Sequence, residues 1–185
     1  IRENLREHPS GAKFLELARE HPYAHVDVEK PFWWDVPMWI ATARVDSIGL
    51  ANNHLWRVGG MFNEAWGKPR DKTFYPDPHG NGRWSQEIYY HLLNCGLRIP
   101  PSAGSASGVL NNPVGYNRVY VHCDGDLTWD KWWQGLKEGK VTVTNGPLLR
   151  PRVNGQLPGH VFSAPAGEHV DLDISVNLGT REKID

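Results

Sequence analysis

Cysteine is too scarce in this sequence for a disulfide scaffold. Only Cys95 and Cys123 occur, one in an apolar helical pattern and one closing a strand-like run, so both read as unpaired thiols in or near a core. No stretch approaches the roughly 18 apolar residues that a membrane span needs. Neither sign of charge is in excess: 20 Lys+Arg stand against 21 Asp+Glu, for a formal net charge of −1. Nucleic-acid binders carry a basic surplus, so nucleic acid is not an expected partner. Polybasic and acidic tails are absent as well. The chain has no HExxH, no CxxC pair and no GxSxG elbow. Internal repeats and low-complexity segments are also missing.

Several residue types are abundant. The chain carries 9 Trp, 14 Pro and 19 Gly in 185 residues. Large aromatics combined with turn formers suggest a loop-rich, concave molecule, and a Trp-packed core is the plainer alternative. The length suits one domain, or one and a part.

Helical signals are clear in four places. Ser10 to Glu20 is amphipathic and ends at His21-Pro22. Phe32 to Ala43 is predicted to be helical after Pro37, with Asp35 as a candidate cap. Trp84 to Asn94 is a helix stopped by Gly96, and Trp129 to Glu138 is a helix capped by Thr128 and stopped by Gly139. Strands are predicted at His25–Glu29, Val45–Ala51, Leu97 onward, Arg118–His122, Lys140–Thr144, Leu148–Val153 and Val170–Val176. A long loop fills Leu55 to about Arg83, and loops of that length are usually functional or disordered. Strands alternate with helices up to residue 144, which implies parallel pairing in an α/β layer or barrel. Beyond residue 147 only strands and turns remain, so a β-rich module is expected over 148–185, after an α/β part over 1–147.

Parallel α/β folds place their sites at the C-terminal ends of strands. His25, Asp27 and Glu29 alternate on one face of the first strand, and Asn52, Asn53 and His54 follow the second. Imidazole and carboxylate together suit Zn²⁺, Mn²⁺ or Fe²⁺, which can acidify a bound water and polarise an ester or phosphate oxygen. A solvated strand edge is the plainer reading of the first group. We therefore take Glu29, His54 and His25 as metal candidates, and Asp27 and His54 as catalytic candidates. Arg57, Arg83 and Arg98 are candidates for gripping an anionic substrate group. Trp34, Trp56 and Asn53 join them as substrate-binding candidates, and Trp33, Trp66 and Trp84 as further walls of a cleft. Gly104 to Gly108 is a small-residue loop that could hold an anion on backbone N–H groups or simply turn; it lacks the lysine of a P-loop.

The runs VEKPFWWDVPMWIATARVDSIGLANNH, NEAWGKPRD, GNGRWSQEIYYHLLNCGLRIPPSAGSASGVL, NPVGYNRVYVH and TNGPLL resemble the carbaryl-hydrolase-like (CehA/McbA) branch of the PHP superfamily, named for polymerase and histidinol phosphatase. The resemblance spans roughly residues 24 to 160. It implies the later part of a distorted (β/α)7 barrel with divalent metal ions at its mouth, acting on a small-molecule ester or phosphoester, followed by a β-rich region. It also implies an HxH motif near the start of the barrel, which this chain lacks. Ile1 in place of Met, and a strand stopping just before the end, read as cuts. A missing N-terminal segment or a second copy is thus the expected structural partner. Gly104-Ser105-Ala106 stands where the family has a GSD-like motif, and Ala106 cannot replace the metal-binding Asp. A degenerate, Trp-lined module that binds a ligand such as a glycan is the alternative.

Overall fold

A computed structural model of the chain describes residues 11–42, 45–55, 63–108 and 112–181. Among these, the fold is mixed α/β: four helices, one three-stranded sheet and two two-stranded sheets. None of the helices is long and apolar enough to cross a membrane.

The first sheet is the parallel one. β1 (Asp27–Val28), β2 (Ser47–Ala51) and β3 (Pro101–Ala103) pair in that order, with Asp27 opposite Ser47 and Gly49 opposite Ser102. Gly49 permits the close approach of the β1 end. A Cβ there would lie 2.1 Å from the Glu29 carbonyl oxygen. α1 (Gly11–Arg19) precedes β1 in sequence, and α2 (Val36–Ala41) lies between β1 and β2. Asp35 occupies the N-cap position of α2 without a side-chain cap bond. Its carboxylate instead accepts from Trp39 Nε1 at 3.1 Å. α2, β1, β2 and α3 (Gly80–Asn94) close on a core of Val28, Val36, Ile40, Ile48 and Tyr89, with Trp33 and Trp39 packed at its margin.

α3 starts four residues before the predicted Trp84. Gly80, Asn81 and Gly82 are poor helix formers, and tertiary packing overrides that preference. All three are buried, and Asn81 Nδ2 donates to Glu64 Oε1 at 3.1 Å. A Cβ on Gly80 would meet the Tyr75 carbonyl oxygen at 1.9 Å.

Parallel pairing does not continue to residue 144. β4 (Arg118–Val121) and β5 (Val141–Thr144) are antiparallel. The segment between them holds α4 (Trp129–Lys137), capped by Thr128 Oγ1, which accepts from Lys131 N at 3.2 Å. His122 N donates to Lys140 O at 2.8 Å, where this excursion leaves and returns. A chain that returns to the point it left can only pair antiparallel, so α4 is not a parallel crossover. Among the described residues the expected barrel wall does not close. β6 (Leu148–Val153) and β7 (Ile174–Gly179) form a separate antiparallel ladder. β7 begins later than the predicted Val170, where Asp173 N donates to Asn154 Oδ1 at 2.7 Å.

The long β2–α3 connection is ordered around a buried ion pair. The Arg70 side chain is fully buried, and its guanidinium donates to Glu64 and Asp77 and, from Nε, to Tyr75 O at 2.8 Å. Burial pushes the Glu64 carboxyl up, but hydrogen bonds from Asn81 and Arg70 together with the Arg70 charge outweigh it and hold the carboxyl below its usual range. Replacing Arg70 by Met would strand Glu64 as an unpaired buried charge. We expect Arg70→Met to lose about 3–5 kcal/mol in urea unfolding, with Glu64→Gln in the same chain recovering part of it.

Candidate functional site

The site begins where β2 ends. Asn52 Oδ1 accepts the backbone N–H of His54 at 3.0 Å, so the asparagine turns the chain out of the strand by bonding two residues on. Asn117 Nδ2 donates to Asn52 O at 2.7 Å and Leu55 O at 3.2 Å, clamping both sides of that turn. Ser105 Oγ in turn accepts from Asn117 N at 2.9 Å. Asn112 Nδ2 donates to Ser105 O at 3.1 Å and reaches Asn53 O at 3.5 Å. These side chains are buried. The small-residue loop after β3 is thus occupied in holding the His54 turn.

His54 is 6% exposed. Its Nδ1 lies 2.7 Å from the Asn63 carbonyl oxygen. A carbonyl only accepts, so Nδ1 carries the proton and Nε2 holds the lone pair. The edge of the ring packs on Phe32 at 5.1 Å between centroids, and Phe32 stacks on Trp84 at 6.0 Å. Burial lowers the His54 pKa from the ordinary 6.5. The Asn63 carbonyl, Glu64 and Glu29 oppose this, Lys30 assists it, and burial prevails. The imidazole is therefore neutral at neutral pH.

His54 lines a cleft of about 560 Å³ together with Arg83, His79, Gln86, Tyr116 and Asn145. Arg83 and His79 are exposed at its mouth and come from the start of α3. A neutral imidazole whose Nε2 has no partner among the described residues, in a cleft that also holds a guanidinium, can accept a proton or ligate an ion there.

The other candidates are dispersed. Asp27 begins β1, opposite the first residue of β2, and so lies at the end of the sheet away from His54. Its Oδ1 accepts from the hydroxyls of Ser47 and Ser102, tying the three parallel strands together. His25 Nε2 bonds Ser47 Oγ at 2.8 Å, and its ring lies 4.9 Å from Trp133. The structure thus brings neither His25 nor Asp27 into the His54 pocket: hydroxyls on the neighbouring strands occupy both. Glu29 pairs with Lys30 at 2.7 Å and reaches His54 only through its charge. Asn53 is buried behind the turn. Arg98 lines a different cleft, with Tyr89, Pro158 and Phe162. Trp34 is 64% exposed, and its Nε1 donates to Trp66 O at 3.1 Å. Trp56 and Arg57 lie outside the described residues, as do His8 and Ser10. Among the described residues, no group of three or more His, Cys, Asp or Glu could hold a metal ion.

Asn63, His79, Tyr116 and Asn117 escape sequence reasoning because each reaches the site across a long loop.

Because the folded pKa of His54 is depressed, the unfolded chain takes up its proton first as pH falls. The stability that His54 contributes is full above about pH 6.5 and is lost as pH drops through the folded value. We expect the thermal midpoint to fall more steeply between about pH 7.5 and about pH 5 in the wild type than in His54→Gln, as read by circular dichroism. Parallel slopes would refute a buried neutral imidazole.

Comparison with protein-family models, with curated proteins and with solved structures gives no match to this chain.

Proposed function

We propose that the cleft at the C-terminal end of β2 serves hydrolysis of an ester-type or phosphoester bond in a small molecule. One observation carries the reading: His54 is buried, neutral and held by the Asn63 carbonyl in the tautomer that leaves Nε2 unprotonated, in a cleft shared with Arg83. Arg83 would bind the anionic oxygens of the substrate. His54 Nε2 would take the proton of the attacking water, and burial keeps that base unprotonated near neutral pH. The resemblance of the sequence to metal-dependent PHP hydrolases supports the same chemistry class.

That resemblance also implies a divalent ion, and Zn, Mn and Fe all suit an imidazole donor. His54 could supply one ligand. The described residues do not assemble the rest of a donor set, so the route above runs through His54 and Arg83 alone.

A second reading rests on Trp34 and Trp66, which are 64% and 85% exposed and joined by a hydrogen bond. Exposed aromatic faces of this kind stack on sugars, as a glycan-binding module would require.

Turnover of aryl phosphates and aryl carboxylates, with and without a chelator, decides between the two. We expect wild-type activity, a loss of about 10²–10⁴ in kcat for His54→Gln, and a rise chiefly in KM for Arg83→Gln. An inactive wild type whose tryptophan fluorescence is quenched by oligosaccharides would favour the second reading instead.

A further inference from the structure

A second cleft, of about 570 Å³, lies between the β4–β5 ladder and the β6–β7 ladder. Both faces of the β6–β7 ladder contribute to it, Leu149, Pro151 and Val176 among them, and the register groups its polar residues. Arg150 is paired with Asn177, and Arg152 with Ser175. Directly opposed residues share one face of a sheet, as do residues two apart in a strand. Two guanidiniums, one carboxamide and one hydroxyl therefore project together, and all four line the cleft. His122 and Lys140 line it from the ends of the other ladder. Neither Asp nor Glu is among the lining residues.

The cationic groups are not equally free. His122 Nε2 lies 3.1 Å from Asp124 Oδ1, and Lys140 Nζ lies 2.7 Å from Glu138 Oε2. Arg152 makes one hydrogen bond, from Nη1 to Gly155 O at 2.8 Å. Among the described residues no carboxylate forms an ion pair with Arg150 or Arg152. Two guanidiniums on one strand face without a counter-charge can share an anion, and their planar forks match an oxyanion. Tyr120, Leu148 and Leu157 complete the lining with apolar surface.

We propose that this cleft binds a ligand in which a phosphate, sulfate or carboxylate group is attached to a compact apolar body. Arg150 and Arg152 grip the oxyanion, with Ser175 and Asn177 as further donors. The site is separate from the His54 cleft and does not depend on the hydrolytic reading.

Phenylphosphonate, benzenesulfonate and benzoate, which carry no ester bond to hydrolyse, test this by calorimetry and rank the three head groups. At least one should bind the intact chain, and Arg150→Gln with Arg152→Gln should raise its Kd about tenfold or more. Both side chains are exposed, so the thermal midpoint should not move. Arg150→Lys with Arg152→Lys, which keeps the charge but loses the fork, should bind more weakly than the wild type and more tightly than the Gln pair. Titrated in the Arg83→Gln chain, which weakens anion binding at the His54 cleft, the Arg150/Arg152 site should keep the same Kd. No binding of any probe by about 10 mM, an unaltered Kd in the Gln pair, or weakening only in Arg83→Gln would each overturn the proposal.

Discussion

The geometry of the site depends on one buried charge. Arg70 sits in the middle of the β2–α3 connection with its side chain fully buried. A guanidinium removed from water is tolerable only with its donors filled. Glu64, Asp77 and the Tyr75 carbonyl fill them. These partners come from both halves of the connection, so satisfying the charge folds the loop back on itself. One half then places Asn63 against His54, and the other delivers Gly80 and the start of α3 with Arg83. The same fold-back seats Lys68 N on the Phe32 carbonyl at 2.8 Å, and Phe32 is the ring against which His54 packs.

Polar side chains at the two ends of the parallel sheet do different work. At the start of the strands, Asp27, Ser47, Ser102 and His25 bond one another across β1, β2 and β3. Apart from His25 Nδ1, which is buried without a partner, they serve to hold short strands in register, which matters because a two-residue strand contributes little ladder of its own. At the far end the asparagines hold backbone, and one nitrogen of His54 has no hydrogen-bond partner among the described residues. The difference lies in the neighbours. Hydroxyls two strands away can satisfy a carboxylate, whereas the single carbonyl facing His54 can satisfy only its N–H.

Local signals in the sequence locate most elements well. Thr128 and Gly139 bracket α4, Leu148–Val153 is β6 as predicted, and the alternation around Val28 and Ile48 marks the core strands. Pairing direction is less legible. The order strand, helix, strand at residues 118–144 reads as a parallel crossover, yet the His122–Lys140 hydrogen bond that closes the excursion makes it antiparallel, and no local pattern encodes that bond. The start of α3 is hidden for a related reason: two glycines and an asparagine read as loop until Glu64 and Tyr75 are packed against them. His54 could be singled out as a strand-end residue, but its partners could not. Asn63 reaches its ring, and Asn117 the turn that carries it, across loops whose closure is decided by Arg70 and Ser105. Alternation alone cannot say whether His25 and Asp27 face a cleft or a neighbouring hydroxyl.

Burial gives His54 two properties that are usually in tension. Removal from water disfavours the imidazolium, so the ring stays neutral, but a buried polar nitrogen normally demands a partner. The structure meets half of that demand. Asn63 satisfies Nδ1 and sets the tautomer, and His54 lines the same cleft as Arg83. A second acceptor in place of Arg83 would favour protonation of the ring and consume the lone pair. A guanidinium does neither, since it cannot accept a hydrogen bond. If the cleft does serve the proposed hydrolysis, an anionic substrate held by Arg83 would bring negative charge into the space that His54 also lines, and negative charge near an imidazole favours its protonated form. The base that burial keeps uncharged would then strengthen when substrate binds.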